Sequence, residues 1–246
     1  MDDLSPVAAV AERMRQQLSG LPSERASVAP FLGTYLRTTE AVGAAADQAR
    51  FEDPDWVARW DAAFAELYLD ALERDLAGGL VPRPWRLAFD APADLPPLRH
   101  VLLGINAHVN YDLPQALLAV ISPDEAADPV LLGRRQRDHE RIDAVLAGRV
   151  AAEDEQLGRS GQSWRDRALR PANRAASRRF LREARRKVWH NTLELNAARV
   201  LGDDRYQARL AELEVLSAAR IADLLAPGQV LLRLAVAGFG VVLPPP

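Results

Sequence analysis

Apolar residues recur along most of this chain at three- and four-residue spacing, the stripe of an amphipathic helix and not the alternation of a strand. Val7, Val10, Met14 and Leu18 make the first stripe. It opens on Ser5-Pro6, a cap with proline at the first helical position, and closes at Gly20-Leu21-Pro22. A second stripe over 28–49 carries Phe31, Tyr35, Leu36 and Val42, with Gly33 and Gly43 as points where another helix can come close. Asp53-Pro54 repeats the cap-and-proline start, and Val57, Trp60, Phe64, Leu67, Tyr68, Ala71 and Leu72 continue to Gly78-Gly79. Asp61 borders that stripe.

Residues 81–97 are dense in proline and read as an ordered loop pinned by Trp85 and Phe89. The stretch 100–118 is almost uncharged, yet it holds His100, Asn106, His108, Asn110, Tyr111 and Asp112. It is expected to be a buried central helix, about 96–111, around which the others pack. Buried polar groups need partners, so this helix is either a hydrogen-bond hub or one wall of a site. Ser122-Pro123-Asp124-Glu125 matches a capping box. A helix from Asp128-Pro129 to about Leu157, a linker containing Gly161, a long helix over 172–201 and a last helix capped by Asp203 or Asp204 complete the pattern. The expected fold is all-α, a single domain over 1–246 of seven or eight helices, with 228–246 an apolar, proline-ended tail packed on the body.

A chain of 246 residues with 48% hydrophobic and 26% charged residues has the makeup of a soluble protein with a sizeable core. It has no cysteine, so a transition metal could be held only by His, Asp and Glu. A net charge of −3 supplies no general attraction for nucleic acid, and the arginines of 165–186 read as a solvated helix face. The N-terminal residues lack a basic region followed by an apolar run, which points to a cytoplasmic protein. The apolar stretch Val230–Leu243 is too short to span a bilayer.

The candidate chemistry lies in the histidines. Three of the four have a carboxylate four residues later: His108 with Asp112, His139 with Asp143, and His190 with Glu194. With 34 acidic residues in 246 positions, a given residue has such a neighbour about one time in seven. Three in four is an excess. Residues i and i+4 share a helix face, so each pair can present a nitrogen and an oxygen in one direction, as a divalent ion requires. The same spacing also makes ordinary helix-stabilising pairs. His100, two turns before His108, is a further candidate nitrogen ligand. The chain lacks the Glu-x-x-His spacing of di-iron bundles, the second His of a zinc-protease helix, and any phosphate loop or nucleophile elbow.

The runs FLGTYLRTT from Phe31, DPDWVARWD from Asp53, PRPWRLAF from Pro82 and GINAHVNYDLP from Gly104 resemble a bacterial domain-of-unknown-function family of about this length. That resemblance implies no activity. The pairs His108/Asp112 and His190/Glu194 are also similar, in type and order, to ligand pairs of the helical zinc-dependent phospholipase C and single-strand nuclease class. This similarity implies one or two divalent ions, zinc first among them.

The leading expectation is a metal-dependent hydrolase, phosphoesterase-like, acting on a small molecule. His108, Asp112, His190 and Glu194 would hold the metal, with His100 and His139/Asp143 as additions, and His108, Asp112 and Asp61 would be catalytic. Arg37 or Arg86 would meet an anionic group, and Tyr35 and Asn110 would be further substrate contacts. The alternative is a non-enzymatic helical module, structural or partner-binding, with a polar core hub. A third reading, a metal-free enzyme with His108 as general base beside Asn106, Asn110 and Tyr111, stands behind both because the asparagines fall on the other side of the helix from His108.

Overall fold

The computed structural model describes residues 5–157, 164–228, 238 and 240–246, with the side chains of 143 and 147–181 outside the description. The expected linker around Gly161 also falls outside. Among the described residues the fold is all-α, without strands. Helix α1 spans Pro6–Gly20, and Ser5 Oγ accepts from Ala8 N at 3.2 Å. After a 3₁₀ segment over Ser23–Val28 come α2, Ala29–Asp47, and α3, Pro54–Leu76, whose cap Asp53 accepts from Trp56 N at 3.0 Å. Then follow α4, Arg83–Phe89; α5, Pro97–Ala107; α6, Leu113–Val120; and α7, Pro123–Ala127. The chain continues with α8, Pro129–Leu157; α9, Trp164–Leu201; and α10, Asp203–Leu225. The capping box at Ser122/Glu125 is present in both directions.

Four sequence expectations are corrected. The 81–97 segment is not wholly a loop: α4 forms because Pro82 and Pro84 stand at a helix start, where a missing N–H breaks no bond. The helix expected from 172 begins at Trp164. The last helix is capped by Gly202, at φ 120°, with Asp203 and Asp204 already in its first turn. The central helix is also not regular. Between α5 and α6, His108–Asp112 form a π-turn, in which Leu113 N reaches back five residues to His108 O. Pro114 explains why. It has no N–H to offer, and its ring would press on the carbonyl of Asn110 in a regular helix. The wider turn relieves that clash, and Gln115 Nε2 serves the nearby carbonyl of Tyr111 at 2.8 Å.

Two apolar clusters meet at this turn. One joins α1, α2, α3, α4, α5 and α10 through Met14, Leu32, Leu69, Leu103 and Ile221. The other joins α3, α6, α8 and α9 through Trp56, Trp60, Leu117, Ile142 and Val188. Phe64 and Val109 pack against both. No helix of the described residues is long and apolar enough to cross a membrane.

Close approach falls at Gly43, where a Cβ would meet Val7 Cγ1 at 3.0 Å, but not at Gly33, where the nearest atom is the end of Arg37. The tightest contact is one the periodicity did not single out. A Cβ at Gly104 would lie 2.4 Å from the Phe31 ring, so α2 and α5 touch through backbone and ring. Gly104→Ala should therefore overpack this contact, at a cost of about 1–3 kcal/mol, and lower the melting temperature by several degrees, whereas Gly33→Ala should leave it unchanged or raise it. Equal melting of the two variants would contradict the packing described.

Candidate functional site

The π-turn sets the geometry at the junction of the two clusters. His108 and Asp112, four residues apart, are both buried, and His108 Nδ1 lies 2.8 Å from Asp112 Oδ2. The same oxygen accepts the indole N–H of Trp85 from α4, also at 2.8 Å. Phe64 of α3 stacks on the imidazole at 3.5 Å between centroids and 5° between planes, and Tyr35 of α2 meets it edge-on at 4.4 Å. Phe31, Tyr68 and Trp85 close the enclosure, with centroids 5.8–6.0 Å from the imidazole.

On His108 and the helices that enclose it the hydrogen bonding is incomplete. His108 Nε2, Tyr35 Oη, Thr39 Oγ1, Asp61 Oδ2 and Tyr68 Oη are buried with no hydrogen-bond partner among the described residues. Tyr35 of α2 and Tyr68 of α3 bring their rings to the imidazole, Thr39 lies one turn beyond Tyr35, and Asp61 lies two turns before Tyr68. Most buried polar groups are bonded, and such a concentration of open ones calls for a ligand, a water or a chemical role.

Electrostatics follow from the enclosure. Burial pushes the Asp61 carboxyl up to about 7. It also pushes Asp112 well above the carboxylate range, opposed by the Trp85 N–H, and holds His108 well below its ordinary range. Tyr35 is driven well up by burial, with the carboxyl groups of Asp61 and Asp112 adding to the effect and the nearness of its hydroxyl to that of Thr39 opposing it, an approach that falls short of a well-formed hydrogen bond. In one arrangement that keeps the pair uncharged and makes both contacts, Asp112 donates Oδ2–H to His108 Nδ1 while Oδ2 accepts from Trp85. The ring proton then sits on Nε2, which has no acceptor among the described residues.

The other candidates lie elsewhere. Asn110 Nδ2 donates to Asn106 Oδ1 at 3.2 Å, and Asn106 Nδ2 to Leu102 O at 2.8 Å. A Cβ at Gly240 would fall 3.3 Å from Asn110 Oδ1, so this pair faces a different side from His108. Arg37 and Arg86 are exposed, and Arg37 donates to Thr34 Oγ1. His100 is buried at the start of α5 with Nε2 open. His139 is buried between Trp60 and Trp189, and its carbonyl accepts from Arg185. The Asp143 side chain lies outside the description. His190 Nε2 donates to Leu243 O at 3.2 Å, and Glu194 pairs with Arg209 at 2.8 Å. Among the described residues no three of His, Cys, Asp and Glu gather as a metal-holding group. The spacing rule thus found His108/Asp112 as a bonded pair, but each member of His190/Glu194 has a different partner. It missed Trp85, taken as a loop anchor, and Thr39, Phe64 and Tyr68, taken as ordinary helix faces.

Residues 7–227 match the model of a family of unknown function, DUF5995. No curated protein and no solved structure matches the chain.

Two outcomes follow from the geometry. Trp85→Phe keeps the ring and removes one donor from a buried oxygen, so it should destabilise the protein by about 1–3 kcal/mol in denaturant unfolding. Unchanged stability would show that Asp112 does not depend on the indole. Asp61 is protonated more readily folded than unfolded, so its contribution to stability should fall as pH rises from its ordinary 3.8 to about 7 and then level off, on top of a fall of the same sign from Asp112. Asp61→Asn should flatten that slope and raise the melting temperature at neutral pH; an unaltered pH profile would refute the burial of an ionisable Asp61.

Proposed function

The chain belongs to the DUF5995 family, whose function is unknown, so its chemistry has to be read from its own residues; we propose that it is a hydrolase of the acid–base type, centred on Asp61 and His108. The observation that carries this is the set of five buried polar atoms left open on His108 and on the two helices, α2 and α3, that pack against it. Each open buried group costs stability, so their concentration around one histidine asks for more than packing.

The roles follow from the protonation directions. Asp61, about half ionised near neutrality, is the base that takes a proton from the attacking water; enzymes tune carboxyls to this range for that purpose. His108 gives its Nε2 proton to the leaving group and takes one at Nδ1 from Asp112, which Trp85 holds in place. Water supplies one hydroxyl and one proton, the leaving group gains one proton, and return of the Asp61 proton to His108 Nε2, with the Nδ1 proton passing back to Asp112 Oδ2, restores the start. Tyr35, Thr39 and Tyr68 offer hydroxyls to orient the substrate.

The surroundings favour a small uncharged ester or amide over a phosphoester. The shell presents aromatic faces and two carboxyl groups, while Arg37 and Arg86 are exposed. A divalent ion remains a testable addition: His108 and Asp112 are already committed to each other at Nδ1 and Oδ2, and His190 and Glu194 to Leu243 and Arg209.

The test is turnover of a panel of small p-nitrophenyl carboxylic esters and phosphoesters, with metal analysis of the same untagged preparation. Wild-type protein should cleave a carboxylic ester, and Asp61→Asn and His108→Gln should each lose about a hundredfold or more, with Asp61→Asn at least as stable as wild type. Variants that keep wild-type turnover would reject the assignment. Stoichiometric metal lost on His108→Gln would restore the metal-dependent reading.

A further inference from the structure

A second recognition surface lies away from the buried centre, where α9 and α10 hold the segment Val241–Pro244. Asn191 reads both sides of this segment's main chain: Nδ2 donates to Val241 O at 3.0 Å, and Oδ1 accepts from Leu243 N at 2.9 Å. The neighbouring His190 takes the carbonyl of Leu243 itself. Arg209 of α10 donates to Pro244 O and is itself held by Glu194 and Glu212 at 2.8 and 2.6 Å. Arg220 donates to Gly238 O.

One side chain of the segment is buried deeply. Leu243 is fully enclosed, among Tyr111, Leu118, Leu195 and Leu213. Val242 and the prolines 244–246 are exposed, and Val241 is only partly covered. The hold on 241–244 is therefore three side chains directed at backbone atoms plus one leucine pocket, with Arg220 adding a contact at Gly238. That is the composition of a groove that recognises an extended peptide, where main-chain hydrogen bonds supply affinity and a pocket supplies selectivity. Most of these contacts are blind to the sequence of what they hold. A segment that buries a single side chain also belongs to the least tightly held part of a fold.

We infer that the α9–α10 groove is a binding site for an extended peptide carrying Leu-Pro, and that this chain's own residues 241–244 occupy it as an intramolecular competitor. The inference is independent of the acid–base reading. Asn191 is the backbone reader, Arg209 the anchor beyond the leucine, and the pocket between Tyr111, Leu195 and Leu213 the selectivity element.

The experiment uses the full chain and a fluorescein-labelled peptide of residues 240–246, Gly-Val-Val-Leu-Pro-Pro-Pro, followed by anisotropy. Leu243→Asp should expel the chain's own segment and bind the peptide saturably, with wild type at least tenfold weaker. A peptide with Ala in place of Leu, or a second substitution Asn191→Ala in the protein, should weaken binding at least tenfold. The inference is overturned if folded Leu243→Asp does not bind the peptide, if wild type binds equally well, or if the Ala peptide binds equally. Should Leu243→Asp fail to fold, hydrogen exchange on the unaltered protein decides. The Leu243 amide should exchange at least tenfold faster than the interior amides of α10, and exchange only at the rate of global unfolding would overturn the inference.

Discussion

A single carboxyl oxygen in an apolar interior constrains much of this structure. Asp112 Oδ2 receives the Trp85 indole from α4 and faces His108 Nδ1 from its own turn, each at 2.8 Å. An unpaired carboxyl at that depth would be costly, so its two partners must stay in place. Trp85 ties the short α4 to the π-turn, His108 turns its ring onto Phe64 of α3, and Tyr35 of α2 fills the edge. Four elements are thereby held in one register around a group of about the size of one side chain.

The π-turn is the local device that makes this work. Pro114 disfavours a regular helix through Asn110, and the widened turn keeps His108 and Asp112 on one face. The turn also lies where the two apolar clusters meet, with Val109 packed against both. A polar centre in such a seam is shielded from water without interrupting either cluster. Burial then favours uncharged forms throughout: Asp61 and Asp112 move up and His108 moves down. Proton sharing, not ion pairing, is the natural currency of this site.

The same helices serve a different purpose on the other side of the turn. Tyr111, one residue before Asp112, forms part of the pocket that receives Leu243, and Asn110 lies against Gly240. One five-residue turn thus presents His108 and Asp112 to the buried centre and Asn110 and Tyr111 towards the 240–244 segment. His190 and Glu194, whose spacing suggested metal ligands, are used on this second side: the histidine holds a backbone carbonyl, and the glutamate steadies Arg209.

Local rules made much of the helical pattern legible. The caps at Ser5, Asp53 and Ser122, the prolines at helix starts and the apolar stripes each act over one or two turns, and a chain displays such information in order. The identity of His108/Asp112 as a bonded pair was also readable, because i and i+4 neighbours meet within a single helix. What periodicity could not show is which pairs face each other across helices. His108/Asp112 and His190/Glu194 carry the same spacing, but only the first turns inward to Trp85, Phe64 and Tyr35, partners 23 to 73 positions away in the chain. The α4 helix within a proline-dense stretch and the π-turn that Pro114 favours have local causes that an apolar stripe does not display, whereas the backbone role of Asn191 depends on a contact between distant elements. Sequence spacing fixes direction around one helix axis, whereas packing decides what lies at the end of that direction.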